Sequence, residues 1–425
     1  MKSIAQVAAQ LQGYDPQALR ADAALQFLQG LVSPATQHQQ VELKHALGRI
    51  LASDVVSPIS VPAHDNSAMD GFAFDGAQLQ TAQALHLTVV GTALAGKAWQ
   101  GSVGPGQCVK IMTGAVMPAG LNTVVPQELT QQVGDNIAIA PGVLQCGDNR
   151  RFMGEDLMQG KPALTAGSRV TPAALGLLAS LGIATVDVVR PLRVAFFSTG
   201  DEILSLGEAP REGAVYDSNR YTLFGLLTRM GVEAMDMGVV KDDPQALEAA
   251  FTLAAKQADA IITSGGVSVG EADHTKAVMR KLAGEETGVA FWRIAMRPGR
   301  PMAVGRIGQA VLFGLPGNPV AVMVTFLAFV RPALLQMMGC NAPALPLLKA
   351  HSAEAIRKKP GRTEYQRGIV QLNAQGVLTV ATTGQQGSGV LSSMAQANGL
   401  IVLGHDQGNV AVGDEVDVMM FDGVI

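Results

Sequence analysis

The run Ala260-Ile261-Ile262-Thr263-Ser264-Gly265-Gly266-Val267-Ser268-Val269-Gly270-Glu271-Ala272-Asp273 changes character twice. Ala260–Thr263 is too short for a helix and reads as a buried strand. The glycine- and serine-rich stretch after it reads as a loop. A helix follows from about Asp273 to Leu282. The same order recurs on both sides. Val194–Ser198 is an apolar strand running into Thr199-Gly200-Asp201-Glu202, and Asn219–Met230 is a helix that stops at Gly231. Val232–Val240 is a strand, and Pro244–Gln257 is a helix with proline in its first turn, where the missing N–H costs nothing. Val311–Phe313 leads through Gly314-Leu315-Pro316-Gly317-Asn318-Pro319 into a further helix. This alternation predicts a mostly parallel, doubly wound sheet over residues 191–338. The polar loops follow the strands, so they converge on the rim where such sheets bind ligands.

Outward from this unit the pattern changes. Residues 61–150 carry short β-type runs (Leu85–Val90, Cys108–Met112, Thr123–Val125, Ile137–Ala140) between glycine-rich turns, the mark of a β-rich domain. Residues 345–425 read the same way and predict a small C-terminal β domain. Residues 1–60 show helical spacing at Ala18, Ala21, Leu25, Leu28 and Val32, and again at Leu43, Leu47, Ile50 and Leu51. With 151–190, which include a helix from Pro172 to Leu181, they form an N-terminal mixed domain into which the β-rich domain is inserted. The expected fold class is therefore multidomain α+β and α/β, with the doubly wound α/β domain at its centre.

Composition excludes several functions. Lys and Arg number 31 against 35 Asp and Glu, so there is no basic footprint for nucleic acid and no polybasic membrane patch. Aromatic residues make up 4%, too few for stacking platforms along a single strand. Cys108, Cys146 and Cys340 lie far apart, without a CxxC, so neither a disulfide framework nor a zinc site is indicated. Asp15, Arg20 and Asp22 interrupt any apolar leader. Val320–Val330 is roughly half the length of a bilayer span and reads as a buried helix ending at Arg331-Pro332. The expectation is a cytoplasmic protein with no membrane and no nucleic acid among its partners.

The chemistry gathers on the α/β rim. The backbone of Ser264–Gly270 could approach a phosphate closely, helped by the following helix N-terminus, although a tight strand-to-helix turn has the same pattern. Pro316-Gly317-Asn318-Pro319 is a rigid helix entry. Asp201, Glu202, Asp242, Asp243, Glu271 and Asp273 would repel one another unless a cation sits among them, and such oxygen donors favour Mg2+ shared with substrate phosphates. Arg297 and Arg300 offer guanidinium forks to an oxyanion. Gly266-Val267-Ser268-Val269-Gly270 also matches a nucleophile elbow, but the downstream His351 and His405 fall in a separate region, poorly placed for a triad.

Taken in order, Asp65–Ala73 (DNSAMDGFA), Ile111–Ala115 (IMTGA), Gly154–Asp156 (GED), Phe197–Glu202 (FSTGDE), Tyr216–Arg220 (YDSNR), Ser264–Asp273 (SGGVSVGEAD), Met296–Pro301 (MRPGRP), Gly314–Val320 (GLPGNPV) and Pro360–Gly368 (PGRTEYQRG) form a specific set. With them the chain, from about residue 45 to about 415, resembles the molybdopterin molybdenumtransferase family, which includes bacterial MoeA and the E domain of gephyrin. The resemblance implies that the α/β domain binds molybdopterin. It implies a homodimer whose cleft lies between that domain and the partner subunit's β-rich domain. The implied reaction joins molybdate to adenylylated molybdopterin with Mg2+ and releases AMP. Implied partners beyond the substrates are a molybdopterin adenylyltransferase and molybdoenzyme-maturation proteins. Carried over by motif, Asp70, Thr113, Asp156, Glu202, Asp243 and Asp273 are catalytic positions, and Glu202, Asp243 and Asp273 hold the metal; Asp242 competes with Asp243. Substrate-binding positions are Ser264, Gly265, Gly266, Ser268, Gly270, Arg293, Arg297, Arg300, Pro316, Gly317, Asn318, Pro319, Arg367 and Ser388, with Arg362 beside them. Arg293, Arg297 and Arg300 stand where bacterial relatives often have lysine, which keeps the charge and changes the donor geometry. A molybdopterin adenylyltransferase, built on one similar α/β domain, and a dimeric peptide-binding scaffold are the alternatives.

Overall fold

The computed structural model of the chain describes residues 3–11, 13–267, 274–342 and 344–421. Its centre is a six-stranded sheet in the order Glu233–Val240, Arg193–Thr199, Ala260–Ser264, Ala310–Leu315, Pro301–Ile307, Val289–Arg293. The first three neighbouring pairs are parallel and the last two antiparallel. Side chains alternate along Arg193–Thr199 as the strand period requires. Val194 and Phe196 pack with Leu223, Leu227, Phe326 and Val330 on one face. Ala195 and Phe197 pack with Leu247, Phe251 and Met279 on the other. Helices therefore cover both faces, and the central strands Ala260–Ser264 and Ala310–Leu315 are buried along their whole length. Sequence patterning missed Val289–Arg293 and Pro301–Ile307. The latter forms a hairpin with Ala310–Leu315 through a tight turn at Gly308 (φ +59°) and Gln309.

The helix from Pro319 does not end at Arg331-Pro332. It continues through a π-helical turn, Phe326–Val330, into Arg331–Met337, giving a run of 19 residues, Pro319–Met337. The wider turn comes just before Pro332, where an amide donor is missing, and absorbs the break in bonding. This helix is long and apolar enough to cross a membrane by length and composition, but it is 72% buried within the fold. It is the core helix of the α/β body.

Residues 1–60 do not act as one unit. The helix Ala21–Leu31 packs Phe27 and Leu28 into the α/β core, with Phe27 edge-on to Trp292 at 4.9 Å. The second predicted helix is absent. His38–Glu42 is a strand paired with Thr185–Val189, and only a single 3-10 turn, Leu43–His45, follows. Gly48 adopts φ +75°, Ile50 and Leu51 bridge to Arg169 and Val188, and Leu47 stays 55% exposed. Helical spacing there reflects burial against the 165–189 segment, whose backbone supplies the hydrogen bonds.

Pairings of Asn66–Ser67 with Arg150–Arg151 and of Val55–Val56 with Pro162–Leu164 bracket the β-rich region. Inside it lies a sheet ordered Thr123–Pro126, Gly71–Phe74, Gln107–Ile111, Leu85–Ala93, Asn136–Ile139, Thr130–Val133. In the C-terminal region Thr363–Leu372, Leu378–Thr382, Leu348–Ser352, Glu415–Met420 and Gly399–Leu403 form a sheet whose first and last strands also pair, closing it into a small barrel. Met296–Arg297 pairs with Thr363–Glu364 at the barrel's edge. That contact holds the arginine loop of the α/β domain against the C-terminal domain.

Candidate active-site cleft

A cleft of about 1160 Å³ opens at the carboxyl ends of the parallel strands. Three strand ends build its floor. Ser198 and Ser264 pair in register near the ends of adjacent strands, and their hydroxyls lie 2.9 Å apart. Ser198 also donates to Asp217 at 2.8 Å, so Ser264 is the donor between the two serines. Asp217 in turn caps the helix Ser218–Met230 by accepting from the Arg220 N–H at 3.1 Å. The Ser264 hydroxyl is thereby committed to ordering the rim.

Gly265 and Gly266 have φ of +90° and +65°. A Cβ on Gly266 would lie 2.4 Å from Thr275 Oγ1, and one on Gly265 would lie 2.6 Å from the Thr199 carbonyl oxygen. Glycine is required here for both conformation and space. The Gly317 carbonyl accepts from Asn219 Nδ2 at 2.7 Å, which locks the Pro316–Pro319 turn to the neighbouring helix.

Of the expected site residues, Glu202, Ser264, Gly265, Gly266, Arg297, Arg300, Pro316, Gly317, Asn318, Pro319, Arg362 and Ser388 line this one cleft. Asp242 lines it as well, and Asp243 does not. The Asp243 carboxylate accepts from the N–H groups of Gln245 and Ala246 at 3.1 and 2.9 Å and caps the helix Pro244–Gln257. Of the two adjacent acids, then, Asp243 serves the helix start through Oδ1 and Asp242 is the one that lines the cleft. Ser268, Gly270, Glu271 and Asp273 lie outside the described residues. Arg293 is exposed at the end of an edge strand and is not among the lining residues.

Arg367 is fully buried and does not face the cleft. Its guanidinium donates to Ser393 Oγ at 2.8 Å and to the carbonyls of Gln385, Gln386 and Gly387 at 3.0, 3.2 and 2.9 Å. Burial lowers its pKa, and the charge of Arg297 adds to this. These bonds shape the loop that carries Ser388. Ser388 Oγ accepts from Asn318 Nδ2 at 3.0 Å, and its carbonyl accepts from the Val320 N–H at 3.1 Å, joining the barrel to the helix entry.

Asp70, Thr113 and Asp156 sit elsewhere. Gly71 pairs with Ile111, which sets the flanking residues side by side. Asp70 accepts from the Thr113 N–H at 2.7 Å and from its hydroxyl at 2.9 Å. The N–H bond, then the hydroxyl, hold the Asp70 carboxyl below the usual carboxylate range. Asp156 lies on a neighbouring loop, its N–H bonded to the Val61 carbonyl at 3.0 Å. All three are exposed and contribute nothing to the lining of the chain's own cleft.

Sequence reading missed Ser198, Asp217, Asn219 and Gln386. The first three lie inside the quoted stretches FSTGDE and YDSNR, but no role was assigned to them there. Gln386 carried none; only its hydrogen bonds with Arg367 reveal it. Among the described residues no group of three or more His, Cys, Asp or Glu side chains could hold a metal ion. Two carboxylates, Glu202 and Asp242, do share the cleft. That donor set suits Mg2+ completed by substrate phosphate oxygens.

Family models match most of the chain: the MoeA N-terminal region (domain I and II) over residues 19–182, a probable molybdopterin binding domain over 195–336, and the MoeA C-terminal region (domain IV) over 349–421. A molybdopterin molybdenumtransferase from Haemophilus influenzae is 41% identical over 391 residues, 92% of this chain and 95% of that one. The corresponding Bacillus subtilis protein is 34% identical, covering 89% of each. The crystal structure of a molybdopterin biosynthesis moeA protein from Pyrococcus horikoshii superposes with a TM-score of 0.81 at 28% identity, over 95% of this chain and all of that one.

Proposed function

The chain belongs to the MoeA family of molybdopterin molybdenumtransferases, and on that premise we propose that its cleft takes adenylylated molybdopterin and molybdate, uses Mg2+, and releases AMP with the finished cofactor. The observation that carries this reading is the convergence of Gly265-Gly266, the Pro316–Pro319 turn, Arg297, Arg300, Glu202 and Asp242 on one cleft.

The positive-φ glycines let backbone reach the pterin phosphate without steric interference. Arg297 and Arg300 are exposed on the lining and offer forks to an oxyanion. Molybdate is itself an anion, so the carboxylates cannot bind it unaided, and the arginines must hold it. Glu202 and Asp242 would hold Mg2+ together with the phosphoanhydride oxygens. When bound, that ion neutralises charge on the anhydride and orients it for cleavage. The chain need supply no nucleophile, consistent with a Ser264 hydroxyl already committed to Ser198.

Asp70, Thr113 and Asp156 fit this scheme as groups offered to the cleft of a second subunit in a cytoplasmic homodimer. The exposure of their cluster and its separation from the chain's own cleft support that role. The molybdopterin adenylyltransferase that supplies the substrate and the maturation proteins that accept the product would be transient partners.

The test follows AMP release from adenylylated molybdopterin with and without molybdate. We expect molybdate-dependent release that falls at least about a hundredfold in Arg297→Ala, the loss of an oriented charged contact. Release that ignores molybdate, or an Arg297→Ala variant as active as wild type, would overturn the assignment.

A further inference from the structure

A second cavity, of about 240 Å³, lies at the opposite end of the strands from the cleft. The loop Ser33–Gln37, the start of Ala310–Leu315 and the end of Pro301–Ile307 enclose it. Arg306 lines it and is 94% buried, with 6% of its surface exposed. Among the described residues its guanidinium makes one hydrogen bond, to the Leu31 carbonyl at 2.5 Å, and its Nε is buried with no partner. Capping Leu31 at the end of Ala21–Leu31 uses one of five N–H donors.

The other charges in the cavity balance. Arg190 binds Asp259 through two bonds of 2.7 and 2.6 Å, donates to the Pro191 carbonyl at 2.9 Å, and is bonded to Gln37 Oε1. Asp259 also accepts from the Arg193 N–H at 2.8 Å. Arg306 is left as a permanent, buried cation with no carboxylate to neutralise it. A buried charge of this kind is costly unless a counter-charge meets it.

We propose that this cavity is a binding site for a small oxyanion of phosphate or sulfate size, held by the free donors of Arg306. The volume falls below the range of about 300–1,000 Å³ typical of sites for larger organic ligands, which excludes a nucleotide or pterin. The site is distinct from the cleft and does not depend on the reaction assigned there.

The experiment uses full-length protein carrying Arg297→Ala and Arg300→Ala, which removes two of the three arginines lining the cleft; the third, Arg362, is paired with Glu364 at 2.8 Å. Inorganic phosphate and sulfate are titrated by calorimetry and by thermal denaturation, with chloride at equal ionic strength as the control. We expect saturable binding of about one anion and a Tm rise of about 2 °C at saturation. Gln309→Glu places a carboxylate on the exposed rim of the cavity. It should weaken binding at least about tenfold by charge, whereas Gln309→Ala should retain it. Arg306→Met should abolish binding, and Gln309→Glu decides the matter if that variant does not fold. No saturable response up to about 10 mM anion, or equal binding in Gln309→Glu, would overturn the proposal.

Discussion

Asp242 and Asp243 are chemically identical neighbours that the fold separates. Asp242 turns into the cleft, while Asp243 closes the first turn of the helix Pro244–Gln257. Asp243→Ala should cost about 1 kcal/mol of stability through the lost cap, read from urea unfolding, and leave AMP release within about twofold. Asp242→Asn should do the reverse, lowering release at least about tenfold with an unchanged unfolding midpoint, if it shares a cation with the substrate. A pair of adjacent acids after a strand is visible in the sequence, but which one faces the ligand depends on where the helix begins. Arg367 illustrates the same limit. Its motif placed it near the site, yet its donors all point at protein atoms, because the loop 385–387 wraps over the guanidinium.

Among the elements, the loop after Ala260–Ser264 is the most constrained by its own composition. Gly266 combines positive φ with a side-chain neighbour closer than any Cβ tolerates. Gly266→Ala should therefore destabilise the protein by about 1–3 kcal/mol, a loss visible as a lower Tm, and weaken substrate binding along with it. A variant with unchanged Tm would mean that the loop relaxes freely. The parallel strands of the α/β unit were legible because they are short apolar runs with turn residues at both ends. Pro301–Ile307 was not, since Gly305 and Arg306 interrupt its apolar run and only Gly308 and Gln309 separate it from the recognised strand after it. The helix beginning at Pro319 outran its expected end because a π turn accommodates Pro332, and nothing in local propensity announces such a turn.

Across the whole molecule, Arg190 and Asp259 tie the segment leaving the N-terminal units to the start of the central sheet. Burial pushes the Asp259 carboxyl up, but the Arg190 guanidinium and the Arg193 N–H outweigh it and hold it below the ordinary range. A depressed folded pKa means that this stabilisation is present above the unfolded value, about 3.9, and is lost as pH falls through the folded one. Stability measured by denaturant should thus decline in acid below about pH 4. Asp259→Asn should flatten part of that decline while costing about 1–3 kcal/mol at neutral pH. An unaltered acid profile in the variant would place the titration elsewhere.

The amino-acid order alone determined the alternation of strand and helix, the glycine positions of the loop after Ala260–Ser264 and the family, because these rest on local periodicity, backbone conformation and contiguous motifs. Only the tertiary structure decided that Asp242 and not Asp243 reaches the cleft, that Arg367 is buried scaffolding, and that helix Ala21–Leu31 joins the α/β core. Each of these turns on which surfaces remain exposed once distant segments pack, and burial of that kind is a property of the assembled chain that no local stretch encodes.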